Sequence, residues 1–212
     1  AMVPLLPPIS VALVGEPTSM QPAIAEKGLV VIDAVAHGVA GHAAREEGDN
    51  AIYRAMRDID RLQQPGTLFP KTSPLLGAVK TSVTIINAGT QHNVVPDRCS
   101  FTIDVRTNEL YSNEEAVAIL RSSLESELTP RSTRLGSSRI DPRHPLVRRC
   151  MEMGLTPFGS PTLSDQSLMP FPSMKMGPGE SSRSHTAHEF ILRSEVDDAI
   201  ARYLRLLDGL RI

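Results

Sequence analysis

The order of elements between residues 27 and 128 constrains most tightly what this chain can fold into. Ser100 to Arg106 alternates without a break, with Phe101, Ile103 and Val105 on one side and Thr102, Asp104 and Arg106 on the other. That two-residue period belongs to a strand with one buried face. Leu29 to Ala36 is almost continuously apolar, and Val79 to Ile86 is rich in Val, Thr and Ile, so both read as further strands. Asp49 or Asn50 is placed to cap a helix whose apolar positions Ile52, Ala55, Met56, Ile59 and Leu62 follow a helical period, ended by Pro65-Gly66. Ser112-x-x-Glu115 is a capping-box pattern, and Val117, Leu120 and Leu124 continue a helical stripe that Pro130 closes. Strand, helix, strand, strand, helix is the order of a small α+β sandwich.

The flanks are written differently. Val11 to Val14 reads as a short buried strand ending in Gly15-Glu16-Pro17-Thr18. Residues 130–142, rich in Ser, Thr, Arg and Gly, read as a crossing back from the sandwich. Pro145 opens a helix carrying Leu146, Val147, Cys150 and Met151 that closes near Gly154. Ser173 to Met176 is strand-like, and Ser194 is placed to cap a helix with Val196, Ile200, Tyr203, Leu204 and Leu207, stopped by Gly209. With 41% apolar residues the chain can build a core, although only 4% are aromatic and none is Trp. A formal net charge of −2 argues against nucleic acid as a partner. Arg131, Arg134, Arg139, Arg143, Arg148 and Arg149 have no interleaved aromatics and read as a solvated face. No apolar run reaches the roughly 18 residues of a membrane span, so no membrane partner is expected. Met2 to Pro8 is broken by prolines and lacks a basic start, unlike a signal peptide. Cys99 and Cys150 read as reduced packing residues of a cytoplasmic protein.

Several residues could carry chemistry, each with a plain alternative. His185 follows the turn Gly177-Pro178-Gly179 and is a metal candidate, or a surface-loop histidine steadied by Glu189. Glu16, held between Gly15 and Pro17 at a strand's end, can face a cleft or simply stand in solvent. His42, between small residues, can reach outward or be an ordinary loop histidine. Arg106 offers a planar fork for a carboxylate, or pairs with Asp104 or another neighbour. Gly177 and Gly179 permit close backbone approach to a ligand or merely make a tight turn. His185-x-x-His188-Glu189 is not the zincin order, and Ser164-Asp165 lacks the nucleophile elbow of a serine hydrolase.

Taken together these segments resemble, in the same order, the dizinc aminoacylase/deacylase/carboxypeptidase family, which includes acetylornithine deacetylase and succinyl-diaminopimelate desuccinylase. The segments are Gly15-Glu16-Pro17-Thr18; Gly41-His42-Ala43-Ala44 with Gly48-Asp49-Asn50; Asn93-Val94-Val95-Pro96-Asp97 with Asp104-Val105-Arg106; and Lys175 to Ile191. The resemblance, closest to acetylornithine deacetylase, implies an α/β fold: a partial catalytic domain of the zinc aminopeptidase/deacylase type at 1–24 and 130–212, with an inserted α+β sandwich lid at 25–129 that forms a homodimer. It implies that Glu16 and His185 each bind one of two zinc ions. His42 would cross the dimer interface to hydrogen-bond the substrate carbonyl. Asn93 and Arg106 would hold the substrate's carboxylate end, and Ser164, Gly177 and Gly179 would line the pocket; His188 has no metal role. The family's His-x-Asp segment is missing, and Glu46-Glu47 and Glu114-Glu115 both follow Glu16, where the family's Glu-Glu pair precedes it. The chain therefore reads as the C-terminal part of such an enzyme, with Ala1-Met2 as an added residue and a start methionine, and with no ordered zinc expected in it. The implied activity is removal of an acyl group from an N-acyl amino acid such as N-acetylornithine, in arginine biosynthesis. The alternatives are a non-catalytic dimerisation module and a dipeptidase or carboxypeptidase of the same fold.

Overall fold

A computed structural model describes residue 5 and residues 7–212 of the 212-residue chain. The reading of Ala1-Met2 and the first part of the non-signal stretch lie outside the described residues. The chain divides into two compact units, one of residues 1–27 and 137–212, the other of residues 28–136. In chain order the strands are β1 (Ala12–Val14), β2 (Ala23–Glu26), β3 (Val30–His37), β4 (Gly41–His42), β5 (Lys80–Ala88), β6 (Val94–Val95), β7 (Arg98–Arg106), β8 (Glu127–Pro130), β9 (Ser138–Arg139), β10 (Phe158–Ser160) and β11 (Ser173–Lys175). The helices are α1 (Ala51–Leu62), α2 (Pro65–Leu68), α3 (Asn113–Ser123), α4 (Pro145–Glu152) and α5 (Arg193–Leu207).

In the unit of residues 28–136, β5, β7, β3 and β8 form an antiparallel sheet in that order. Register pairs Ile32 with Ile103 and Ala34 with Phe101, so the apolar positions of β3 and β7 share one face. Val30, Ile32 and Ala34 pack there with Phe101, Ile103 and Val105 under Ala55 and Leu62 of α1 and Val117 and Leu120 of α3. Asn50 caps α1 by accepting the Ile52 N–H at 2.9 Å. The capping box of α3 is complete: the Glu115 amide donates to Ser112 Oγ at 3.0 Å, and the Ser112 amide to Glu115 Oε2 at 2.7 Å.

Three expectations for this unit need correction. The buried face of α1 is Ala51, Ala55, Asp58 and Leu62, while Met56 is 56% exposed. Ala55 and Leu62 are covered as expected, with Ile52 and Ile59 half-buried beside them, but the covered face also takes in Asp58, a charge, and leaves Met56 out. Its carboxylate accepts the Glu125 and Ser126 amides and the Ser126 hydroxyl, so burial leaves it bonded. Pro65 does not merely end α1; it occupies the first turn of α2. The stretch before Pro130 turns from helix to strand, since α3 ends at Ser123 and β8 pairs with β3. Within the expected crossing at 130–142 the units divide at 136/137, because the Asn113 side chain donates from Nδ2 to Thr133 O (2.9 Å) and Leu135 O (2.8 Å) and holds that segment to the sandwich.

In the other unit, β1, β11, β2 and β10 form a sheet in that order, with β9 also on β2. β1 runs parallel to β11, β10 parallel to β2, and β11 antiparallel to β2. Here β2, β9 and β10 are elements the sequence reading missed; each is four residues or fewer, too short to show a period. β1 is half-buried rather than buried, since it pairs on one side only. α5 begins at Arg193 behind Leu192, so Ser194 lies in its first turn; the Leu192 amide is satisfied by Glu195 Oε2 at 2.9 Å. Both cysteines are buried and unpaired. Among the described residues no helix is long and apolar enough to cross a membrane.

Candidate functional site

Glu16 and His185 come together on the wall of one cavity of about 410 Å³, within the unit of residues 1–27 and 137–212. The fold explains why. β1 and β11 are neighbouring parallel strands, with Val14 opposite Lys175, so the segments after them leave from the same edge. The carboxyl edge of parallel strands is where α/β sheets gather ligands, because the loops there are free to vary while their roots are fixed. Glu16 follows β1, and His185 is carried by the longer loop after β11.

Those two loops are knit to each other. The amides of Thr18 and Met20 donate to Gly177 O at 3.2 and 2.9 Å, and the Ser19 amide donates to Gly179 O at 2.8 Å. In return the Gly177 amide donates to Thr18 Oγ1 at 3.1 Å. A Cβ on Gly177 would lie 2.6 Å from Glu16 O and 3.0 Å from Glu16 N. The close approach that Gly177 permits is thus to the backbone of Glu16. Gly179 has φ +81°, where glycine is favoured, and lines a separate depression with Pro17 and Ile191.

The loop of His185 is pinned on both sides. Arg183 donates to Glu195 at 2.8 Å, pairs with Glu180 at 3.1 Å, and lies 4.8 Å above the Phe190 ring. His185 takes φ +58°, and its amide donates to Glu189 Oε2 at 3.0 Å. Glu189 therefore steadies the backbone of His185 rather than its imidazole. Tyr203 of α5 donates its hydroxyl to Met176 O, securing the exit of β11. Burial pushes the Tyr203 phenol up from its ordinary value, which keeps it a neutral donor.

Behind the cavity lies a buried ion pair that the sequence reading passed over. Lys175 and Glu26 have side chains only 3% and 0% exposed, with Nζ 3.1 Å from Oε2. The signal was present as a single charge in each of two otherwise apolar runs, Ala23-Ile24-Ala25-Glu26 and Met174-Lys175-Met176. Ser164 does not itself line the cavity; its hydroxyl donates to Glu26 Oε2 at 2.7 Å and its amide to Glu26 Oε1 at 3.2 Å.

His42, Asn93 and Arg106 belong to the other unit. β4 pairs with β6, placing His42 opposite Val94, and the Ala43 amide donates to Asn93 O at 2.9 Å, so His42 and Asn93 share one exposed tip. The Ala44 amide donates to His42 Nδ1 at 3.1 Å. With Nδ1 accepting, the neutral ring carries its proton on Nε2, as a free donor. Arg106 stands elsewhere. It closes β7, whose first residue Arg98 follows the Asn93 loop, and eight strand steps of roughly 3.3 Å separate the two ends by about 26 Å. Its fork is engaged by Asp104, at 2.7 Å from Nε and 3.0 Å from Nη2. Asn93 and Arg106 of one chain cannot grip the same small carboxylate.

A carboxylate and an imidazole are both zinc-ligand types, so the donor set facing the cavity suits that ion. Zinc sites use three or four protein ligands, however, and among the described residues no group of three or more His, Cys, Asp or Glu converges.

Comparison with known proteins gives this geometry a context. The peptidase dimerisation domain family matches residues 24–131. Over 100 residues, 45% of this chain and 26% of the other protein, the chain is 32% identical to acetylornithine deacetylase of Myxococcus xanthus. A tripeptidase from Staphylococcus aureus superimposes with a TM-score of 0.73 at 17% identity, over 94% of this chain and 57% of that one. A dinuclear metal binding peptidase of the M20 family from Bacillus subtilis gives 0.56 at 15% identity, over 92% and 55%. At such identities the solved structures establish a shared fold. The chain spans a little over half the length of the structures it matches.

Proposed function

The chain belongs to the M20 peptidase dimerisation domain family, and from that premise we propose that it is part of a zinc-dependent amidohydrolase that removes the acyl group from an N-acyl amino acid such as N-acetylornithine. The observation that carries this reading is the convergence of Glu16 and His185, from two parallel strand ends, on one cavity. Two donors fall short of a zinc site, so the remaining ligands and the general base come from polypeptide beyond these 212 residues. Zinc bound there would polarise the scissile carbonyl and acidify a water. Glu16 and His185 hold their positions through the interlocked loops around Gly177 and Arg183. The unpaired, buried cysteines suit a reducing, cytoplasmic setting.

His42 presents an Nε2–H from an exposed tip and is suited to donate a hydrogen bond to the oxyanion. The strand of about 26 Å between that tip and Arg106 means that one lid cannot serve one substrate with both ends. A twofold dimer removes the conflict, with His42 and Asn93 of one protomer acting on the site of its partner. β5 is a nine-residue edge strand with Ile85 and Ile86 exposed, beside exposed Tyr53 and Met56 on α1, and offers such an interface. The second reading, a dimerisation module without catalysis, draws on the completeness of the sandwich at residues 28–136.

The test uses the longer protein that contains this segment, loaded with zinc and assayed on N-acetylornithine and on dipeptides. We expect deacetylation that falls at least a hundredfold in Glu16→Ala and His185→Ala, each with reduced zinc content. Full turnover and full zinc in His185→Ala would refute the metal role. The 212-residue chain alone should show no turnover.

A further inference from the structure

The loop Ser160–Ser164 supplies much of the cavity wall facing Glu16 and His185, and its fastening is unusual. Lys175 Nζ lies 3.1 Å from Glu26 Oε2 and donates to Thr162 O at 2.9 Å and to Thr162 Oγ1 at 3.2 Å. An ammonium has three donors, and these acceptors use all of them. Glu26 in turn accepts the Ser164 amide and hydroxyl at 3.2 and 2.7 Å. The cation therefore grips the backbone carbonyl of residue 162 and the anion the backbone amide of residue 164. The residue between them, Leu163, is presented to the cavity, where it joins Phe158 and Pro161 as apolar lining. Lys175 is the one lysine or arginine among the described residues that line this cavity, and it is neutralised.

We propose that the Glu26–Lys175 pair is a positioning clamp that masks the cavity's lysine and presents Leu163, so that the cavity accepts an uncharged acyl group and rejects one bearing a second carboxylate. This rests on the deacylase reading above and deepens it to a substrate class. A succinyl group would bring a carboxylate against a wall whose only ammonium is already committed to three acceptors, and would leave that charge desolvated and unpaired. An acetyl or short alkyl acyl group meets Leu163, Phe158 and Pro161 instead.

Two measurements test the proposal. On this chain, hydrogen exchange reads the clamp directly: the Ser164 amide should exchange at least tenfold faster in Glu26→Ala, with α4 unchanged. On the longer protein, kcat/KM is compared across N-acetyl, N-hexanoyl and N-succinyl forms of one amino acid. Glu26→Gln exposes the uncompensated Lys175 charge and should raise the succinyl-to-acetyl ratio about tenfold; Glu26→Gln combined with Lys175→Met, which removes both charges, should bring it back. Leu163→Ala should raise the hexanoyl-to-acetyl ratio about tenfold and leave succinyl unimproved. A merely structural pair would lower all substrates together. Unchanged ratios in active Glu26→Gln and Leu163→Ala enzymes, or unchanged Ser164 exchange, would overturn the proposal. If Glu26→Gln alone does not fold, the Leu163→Ala ratio and the double variant decide. Absence of turnover on every acyl substrate would sink the deacylase reading itself, and Ser164 exchange would then decide the clamp.

Discussion

Three glycines near the cavity should respond to alanine in an order that their surroundings fix. At Gly177 the new Cβ would stand 2.6 Å from Glu16 O, 3.0 Å from Glu16 N and 3.2 Å from Glu16 C. These are backbone atoms, in a turn closed by Pro17 and tied back to Gly177 by the Thr18 hydroxyl and amide. No side chain can swing away, so the two loops must part by about an ångström. Overpacking of this kind costs about 1–3 kcal/mol, and an immovable obstacle puts Gly177→Ala near 3 kcal/mol. At Gly179 the same Cβ meets only the side chains of Ile191 and Pro17, at 3.6 and 3.7 Å, but φ is +81°. The left-handed backbone alone sets the penalty there, at about 1 kcal/mol. At Gly15 nothing lies within 4 Å and φ is outside the left-handed region, so alanine is expected to be neutral or to stabilise by up to about 1 kcal/mol through the unfolded state. With a urea slope of about 2 kcal/mol per molar, Gly177→Ala should lower the unfolding midpoint of its unit by about 1.5 M, and Gly179→Ala by about 0.5 M. A domain-resolved probe is required because two units unfold. Should Gly177→Ala prove no worse than Gly15→Ala, the close packing of Glu16 against the glycine turn would be wrong, and with it the account of how Glu16 is aimed.

Asp58→Ala should destabilise the sandwich of residues 28–136 by about 3 kcal/mol or more, because it strips the partner from the buried Ser126 amide and hydroxyl and from the half-buried Glu125 amide; denaturant melts that move less than about 1 kcal/mol would contradict this. Stability should also fall in acid. Hydrogen bonds from Arg143 hold the Asp141 carboxyl down at about 2, and Arg131 and Arg183 lower those of Asp33 and Glu195 in the same way. A carboxyl depressed in the folded state adds stability that is fully present above its unfolded pKa and lost as pH falls through the folded one. Thermal midpoints should therefore be flat from about pH 6 to 8 and decline from about pH 4 towards 2, less so in Arg143→Gln. An unchanged slope in that variant would exclude the Asp141 pair as a contributor. Replacing exposed Ile85 and Ile86 on edge strand β5 by Glu should shift a dimer to monomer in light scattering; a dimer that persists would place the interface elsewhere.

Where a segment was long and periodic, the sequence showed which element it forms, though not always which face is covered. β7 announced its buried face through Phe101, Ile103 and Val105, and α3 announced its start through Ser112 and Glu115, because both signals are local and repeat. The failures share a cause in contacts that are far apart along the chain. Asp58 is inside because amides some 67 residues away need its carboxylate. Glu26 is inside because Lys175 and Ser164 come to it across the sheet. The apolar stripe of α5 gave no hint that Ile200, Leu204 and Leu207 would stand in the open, with Leu204 68% exposed, while Ala199 and Leu206 are covered. Site residues were readable as types, and Glu16 with His185 did reach one cavity; Arg106 and Asn93 were read as neighbours in function although β7 holds them apart.

Backbone strain in this chain is gathered around the cavity of Glu16 and His185. Among the described residues the non-glycine positions with positive φ are Ser19, Met20 and His185, and all three lie in the loops after β1 and β11. Each costs of order 1–2 kcal/mol and persists only where neighbours over-determine it. Ser19 and Met20 are fixed by the carbonyls of Gly179 and Gly177, and His185 by Glu189. The same cavity is backed by the ion pair whose two members are both buried, Glu26–Lys175, which is another feature that seldom adds to stability on its own account. The sandwich of residues 28–136 shows the opposite habit: its positive-φ residues are Gly77 and Gly89, and its buried carboxylate Asp58 closes a turn. A surface depression formed by chance would not gather strained backbone, a close-packed glycine and a buried ion pair around the two side chains best suited to bind a metal. Those costs fall on one small region, and that gathering supports the roles proposed for Glu16, His185 and Leu163, whose positions there are held at the expense of local comfort.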